Sequence, residues 1–208
     1  TDETYKKFIE WQYNLLYEKG LIVKGSHPVK WCPNDDNPVE DHDILRGEEA
    51  TIVDYTLIKF TYDGMVLPCA TLRPETTFGV TNLWINPDVE YVKAKVKTDE
   101  YEETWVVSED AYNKLTYTDR RVEFIEKISG LDIIGIKVKN PLTDSEVITL
   151  PASFVRGGNG SGVVMSVPAH APYDYLALKD LYDKDLSEYG ITENLQNIQL
   201  IPLIDVPE

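Results

Sequence analysis

The tightest constraint on how this chain folds is a dipeptide, Asp63-Gly64, placed between two runs of alternating residues, Thr51 to Tyr62 and Met65 to Leu72. An Asp-Gly pair tolerates positive φ at both centres of a two-residue turn. That is the geometry whose twist matches two antiparallel strands. A long hairpin is therefore specified locally. Shorter runs predict further strands near 91–96, 103–107, 122–127, 133–139, 145–149 and 162–167. Helices are predicted at 4–19, with Asp2 as cap and Lys19-Gly20 as stop, and near 108–115, with Ser108 as cap. A further helix is predicted at 174–184, with Tyr175, Leu178, Leu181 and Tyr182 as its apolar stripe. Many short strands with a few helices predict an α+β domain built on a β-barrel, with the helices peripheral.

A length of 208 residues allows one large domain or two small ones. The segment 25–49 is rich in Pro, Asn, Asp and Glu, and the period-two pattern starts at Ala50. The expected division is thus 1–49, a helical lead-in and irregular connection, and 50–208, one compact barrel unit. The formal net charge of −16 excludes general nucleic-acid binding, because phosphate contacts need Lys and Arg. The two cysteines, Cys32 and Cys69, cannot make a disulfide framework. No apolar run reaches the roughly 18 residues that span a bilayer, and no secretory signal is visible, so the cytoplasm is the expected location. Asn159-Gly160-Ser161 matches a glycosylation sequon. Without a secretory route it reads as coincidence.

Two segments carry polar residues at strand ends. One is Thr71-Leu72-Arg73-Pro74-Glu75-Thr76-Thr77-Phe78-Gly79, the other Gly160 to Asp174. Each has a plain structural reading. Threonine favours strands, so Thr71, Thr76 and Thr77 fit a strand end opening into a short helix. Asp174, before an apolar-periodic run, fits a helix N-cap, with its second oxygen free for a ligand cation. His170 lies four residues after Ser166 with no obvious orienting carboxylate, so a structural or pocket-lining role is favoured over a general base. Gly157, Gly158, Gly160 and Gly162 fail the dinucleotide, P-loop and nucleophile-elbow spacings. They read as a turn entering a buried strand, where small residues also permit close approach of a ligand. Cys32-Pro33-Asn34-Asp35 lacks a second thiol, although His27, His42, Asp41 and Asp43 are near in sequence. Structural zinc prefers a closed set of thiolate and imidazole ligands, so no metal is expected.

The same two segments resemble the editing (connective polypeptide 1) domain of leucyl-tRNA synthetases of the archaeal and eukaryotic type. The resemblance extends over nearly the whole chain, through Lys7 to Gln12, Lys19 to Gly25, His27 to Pro33 and Tyr55 to Phe60. Valyl enzymes carry related segments, but the run Val163 to Pro172 is closer to leucyl ones. The fold implied is the β-barrel editing domain of class I aminoacyl-tRNA synthetases. The implied activity is hydrolysis of the ester in tRNA(Leu) mischarged with isoleucine, norvaline or methionine, with leucine excluded sterically. Neither class I synthetic-site signature occurs, so charging activity is not expected from this chain and ATP binding would belong to a full-length enzyme.

The resemblance also implies roles. Asp174 would hold the α-ammonium of the esterified amino acid, and Thr76 would be the gate against leucine. Thr71 and Thr77 would line the pocket and hold substrate or water. Leu72 stands where bacterial members often have threonine, which leaves it a backbone contact. Arg73 would either brace the loop or approach the terminal adenosine. Met165, Ser166, Val167 and His170 would form the facing wall. No cofactor is implied. The expected partners are the 3′ end of mischarged tRNA(Leu) and the remainder of a synthetase, with no membrane. The alternatives are an editing domain of a valyl- or isoleucyl-tRNA synthetase, and a non-catalytic acidic binding module.

Overall fold

The computed structural model describes residues 2–25, 27–32, 34–44 and 52–204. It divides into two compact units, Thr1–Val53 and Asp54–Glu208. Thr51, and the part of the irregular connection at 45–49, lie outside the described residues.

In the first unit, helix α1 (Glu3–Glu18) starts as the sequence predicts, with the Asp2 carboxylate accepting the Tyr5 N–H at 2.8 Å. Its end is closed by the N–H of Gly20 on the Tyr17 carbonyl and that of Leu21 on the Leu16 carbonyl. None of its residues is buried. The connection after it contains one small antiparallel pair, β1 (Trp31–Cys32) with β2 (Asn37–Pro38).

The second unit is organised by the predicted hairpin. Strand β3 (Thr56–Tyr62) pairs with β4 (Met65–Thr71) from Thr56 opposite Thr71 to Tyr62 opposite Met65. Asp63 and Gly64 both have positive φ, 45° and 75°. Seven further strands complete one mixed sheet: β5 (Asn82–Ile85), β6 (Glu90–Lys97), β7 (Glu102–Ser108), β8 (Arg121–Ser129), β9 (Lys137–Lys139), β10 (Glu146–Pro151) and β11 (Val163–Ser166). The strand order is β11-β5-β10-β9-β3-β4-β7-β6-β8, with β10/β5 and β4/β7 parallel. Helix α2 (Glu109–Leu115) is capped by Ser108, whose Oγ accepts the Ala111 N–H at 3.1 Å. The sheet is α+β and mixed, as expected. Its two end strands do not pair with each other, so it is an open sheet that curls back rather than a closed ring.

The curl is made by the loop before β11. The Ser161 carbonyl accepts the Ser108 N–H at 2.9 Å, and the Gly162 carbonyl accepts the Tyr91 hydroxyl at 2.7 Å. Burial pushes the Tyr91 phenol up to about 12, so it stays a neutral donor. Gly162 has φ +78°, and a Cβ there would lie 2.5 Å from Ser108 Cβ. At Gly160 a Cβ would lie 2.7 Å from Ala70 Cβ. The backbone approach that the glycines permit is thus made by the protein's own strands. Trp84, Trp105, Tyr91, Phe60 and Leu67 are the largest fully buried side chains. Cys69 is also fully buried, and desolvation pushes its thiol well above the usual range, leaving it an inert core residue.

Three expectations change. Strand β5 was not predicted, because all four of its residues are buried and the run shows no alternation. The predicted strand at 133–139 is a 3₁₀ turn, Gly130–Ile133, followed by the three residues of β9. The last helix, α3, spans Pro172–Lys179 rather than 174–184, with Ala171 in the cap position. Proline at its first position has the φ a helix needs and lacks only an N–H that would have no partner there.

Candidate functional site

The segment after β4 is shaped almost wholly by itself. Pro74–Gly79 is a 3₁₀ helix with Pro74 in its first position. The Thr71 Oγ1 accepts the Arg73 N–H at 3.0 Å. The Thr76 hydroxyl donates to the Arg73 carbonyl at 2.7 Å, and the Thr77 hydroxyl donates to the Pro74 carbonyl at 2.7 Å. These back-bonds satisfy carbonyls of a tight helical turn. Arg73 Nε donates to Glu75 Oε1 at 3.0 Å, a contact within the loop. Both side chains are largely exposed, and such a pair contributes little to stability. Thr76 and Thr77 are buried, whereas Leu72 and Phe78 are exposed.

The Gly160–Asp174 segment is held differently. Asp174 lies in the first turn of α3, not at its cap, and its carboxylate turns away from the helix backbone. Oδ2 accepts the Val167 N–H at 2.8 Å, and Oδ1 accepts the indole N–H of Trp84 at 3.0 Å. Partial burial raises the carboxyl above its ordinary range, and the two N–H donors oppose that rise. Among the described residues no cationic side chain forms an ion pair with it. His170 is not placed as a base toward Asp174: its Nε2 accepts the Leu203 N–H at 2.7 Å.

The two segments adjoin. The Thr77 hydroxyl lies 3.9 Å from the Met165 sulfur, and the Ser166 carbonyl accepts the Thr81 N–H at 3.1 Å. The C-terminal stretch joins them again. Leu203 is bonded to His170, and its Cγ lies 3.2 Å from where a Cβ on Gly79 would sit. In the β5–β11 register Met165 is opposite Leu83 and Val164 is opposite Trp84. Alternate residues point to opposite faces. Met165 and Leu83 therefore share one face of this strand pair, and Val164 and Trp84 share the other. Asn82 and Ser166, opposite each other in register, are fully buried on the Trp84 face. Asn82 Nδ2 and Ser166 Oγ have no hydrogen-bond partner among the described residues.

Sequence reasoning missed two residues here. Trp84 lies in the strand without alternation. Asn140 donates its Nδ2 to the Thr77 carbonyl at 2.9 Å and is 1% exposed. A lone asparagine in a turn, Lys139-Asn140-Pro141, carries no sequence signal of a partner 63 residues away. Elsewhere, Cys32 Sγ lies 3.3 Å from Asp35 Oδ2, and among the described residues no group of three His, Cys, Asp or Glu side chains could hold a metal ion.

The fold matches solved editing domains of the leucyl type. One is the crystal structure of GlLeuRS-CP1, with a TM-score of 0.62 and 28% identity, covering 72% of this chain and 70% of that one. Another is the P. knowlesi cytosolic leucyl-tRNA synthetase editing domain, with a TM-score of 0.65, covering 74% and 71%; at 19% identity it supports the fold alone. The sheet thus has the fold of an aminoacyl-tRNA synthetase editing domain.

The family model for the leucyl-tRNA synthetase editing domain matches residues 56–186, and the chain belongs to that family. Leucine--tRNA ligase of Methanococcoides burtonii is 75% identical over all 208 residues, and that of Methanocaldococcus jannaschii 55% identical over 216 aligned residues. The chain spans 22% of the length of each of these relatives. The valyl and isoleucyl alternatives give way to the leucyl assignment. No helix among the described residues is long and apolar enough to cross a membrane.

Proposed function

We propose that this chain hydrolyses the aminoacyl ester of tRNA(Leu) mischarged with isoleucine, norvaline or methionine, and refuses leucine on steric grounds. The observation that carries this reading is the Asp174 carboxylate. It is partly buried, oriented by two N–H donors and unpaired with any described cation. Each carboxylate oxygen has two acceptor directions, so the two bonds leave room for the α-ammonium of an aminoacyl ester. Such a charge-assisted bond is worth about 1.5–3 kcal/mol.

The need for a second pocket is arithmetic. One methylene more or less changes binding by only about 1–3 kcal/mol, so near-leucine amino acids pass a single pocket. In this proposal Thr76 is the gate that leucine meets. Thr71 and Thr77 line the pocket, with Leu72 contributing its backbone, and Met165, Ser166, Val167 and His170 form the facing wall. Chemistry needs no protein nucleophile. A water oxygen attacks the ester carbonyl carbon, the bond to the ribose oxygen breaks, and the ribose oxygen takes up a proton. An activated ester held in position gains most of its rate from orientation.

The tRNA 3′ end would be delivered by the rest of a full-length enzyme in the cytoplasm, because a net charge of −16 gives this chain no general hold on phosphate. The lead-in of residues 1–49 would connect that enzyme to the editing unit of 50–208. The test is Asp174→Ala in a full-length enzyme carrying this chain, assayed on isoleucyl-tRNA(Leu). The expected result is a ten- to hundredfold slower deacylation. Deacylation at the wild-type rate would overturn the anchoring role.

A further inference from the structure

We infer that Trp84 is a positioning residue for editing: its indole N–H fixes the Asp174 carboxylate in the orientation that receives the substrate α-ammonium. The inference rests on the editing reading of Asp174. It is drawn from the way the carboxylate is held. One of its two donors, the Val167 N–H at 2.8 Å, is backbone at the end of β11. The other, Trp84 Nε1 at 3.0 Å, is the one side chain that bonds to it among the described residues. With one donor alone the carboxylate could turn about χ2; with a donor on each oxygen its plane is set.

Trp84 is itself immobile. It is 0% exposed and sits mid-strand, opposite Leu150 of β10 on one side and Val164 of β11 on the other. Phe154 packs edge-on against its ring at 5.6 Å. A buried indole needs a partner for its N–H, and the partner here is a carboxylate. Partial burial works against the charged form of Asp174, and N–H donors to that form restore it. Trp84 therefore helps keep the anchor both aimed and anionic.

The experiment measures single-turnover deacylation by a full-length enzyme carrying this chain. Trp84→Phe removes the N–H and keeps an aromatic ring. A second variant carries 3-benzothienylalanine at position 84, which keeps the bicyclic shape and replaces N–H by sulfur, so a folding defect of the first cannot decide the matter. Each is assayed on isoleucyl-tRNA(Leu) and on the same tRNA esterified with the α-hydroxy analogue, which has no ammonium. The expected result is about a tenfold loss on the aminoacyl ester, little change on the hydroxy ester, and no further loss when added to Asp174→Ala. A wild-type rate for the benzothienyl variant on the aminoacyl ester, with Asp174→Ala slow, overturns the role of Trp84 alone. Equal losses on both esters, or losses that add to Asp174→Ala, overturn it too, since they report general packing. A wild-type rate for Asp174→Ala removes the editing reading of Asp174 and this inference with it.

Discussion

The two polar segments of the candidate site are held by opposite strategies. Between Thr71 and Gly79 the polar groups are spent within a few residues: Thr71 on Arg73, Thr76 on Arg73, Thr77 on Pro74, Arg73 on Glu75. Asp174 is held from a distance, by Trp84, which is 90 residues away in sequence, and by the end of β11. The first segment is shaped mainly by its own neighbours, with Asn140 as the one distant side chain bonded to it among the described residues. The second has its hydrogen-bonded geometry only when β5, β10 and β11 are assembled around Trp84. A gate can be local because it needs only bulk in the right place. An anchor for a charge needs an oriented acceptor, and orientation of a half-buried carboxylate requires donors from elsewhere.

The largest test of this contrast is Thr76→Ala. If the gate is local bulk, removing it opens the pocket without unfolding the domain. The expected outcome is a gain of about five- to 150-fold in hydrolysis of correctly charged leucyl-tRNA(Leu), corresponding to about 1–3 kcal/mol of lost exclusion. Unchanged leucyl-tRNA(Leu) would remove Thr76 from the gate. A second test strikes the assembled region. Gly162→Ala brings a Cβ to 2.5 Å from Ser108 Cβ at a φ of +78°. It is expected to cost about 2–4 kcal/mol, read as a lowered denaturation midpoint. A near-neutral result would show that the loop before β11 can relax.

Thr77→Val is a smaller perturbation of the local segment. It leaves the Pro74 carbonyl without its buried donor, at a cost of about 1–3 kcal/mol in chemical denaturation. The smallest effect concerns protons. The folded Asp174 carboxyl sits above its ordinary value of 3.8, because burial outweighs the bonds from Val167 and Trp84. The folded chain therefore holds this proton more readily than the unfolded chain. Stability from this group is lost as pH rises from the unfolded value through the folded one. Asp174→Asn should accordingly gain stability relative to the unsubstituted chain as pH rises above about 4, measured by denaturant melts at each pH. A relative loss over that window would mean that the two N–H bonds outweigh burial.

Local chemistry is legible in the sequence. The Asp63-Gly64 hairpin, the Asp2 and Ser108 caps and most strands follow from patterns shorter than about ten residues. The misses share a cause. Strand β5 is buried on both faces and shows no alternation. Asp174 reads as a helix cap because a carboxylate beside a helix start usually bonds to that helix, yet here the proline at the first position moved the start to Pro172. The glycines before β11 read as a turn entering a buried strand, which they form, but the clearance they leave is taken by Ala70 and Ser108 and not by a ligand approach.

The turns, the caps, the alternating strands and the residue types offered at the two segments could all be read along the chain, because each depends on near neighbours. Three contacts came instead from assembly of the fold: Trp84 reaches Asp174, Asn140 secures the Thr77 carbonyl, and Leu203 ties His170 near Gly79. The physical reason is one of range. A hydrogen bond across three residues is set by backbone dihedrals, while one across 90 exists only after the sheet has brought its partners within 3.0 Å.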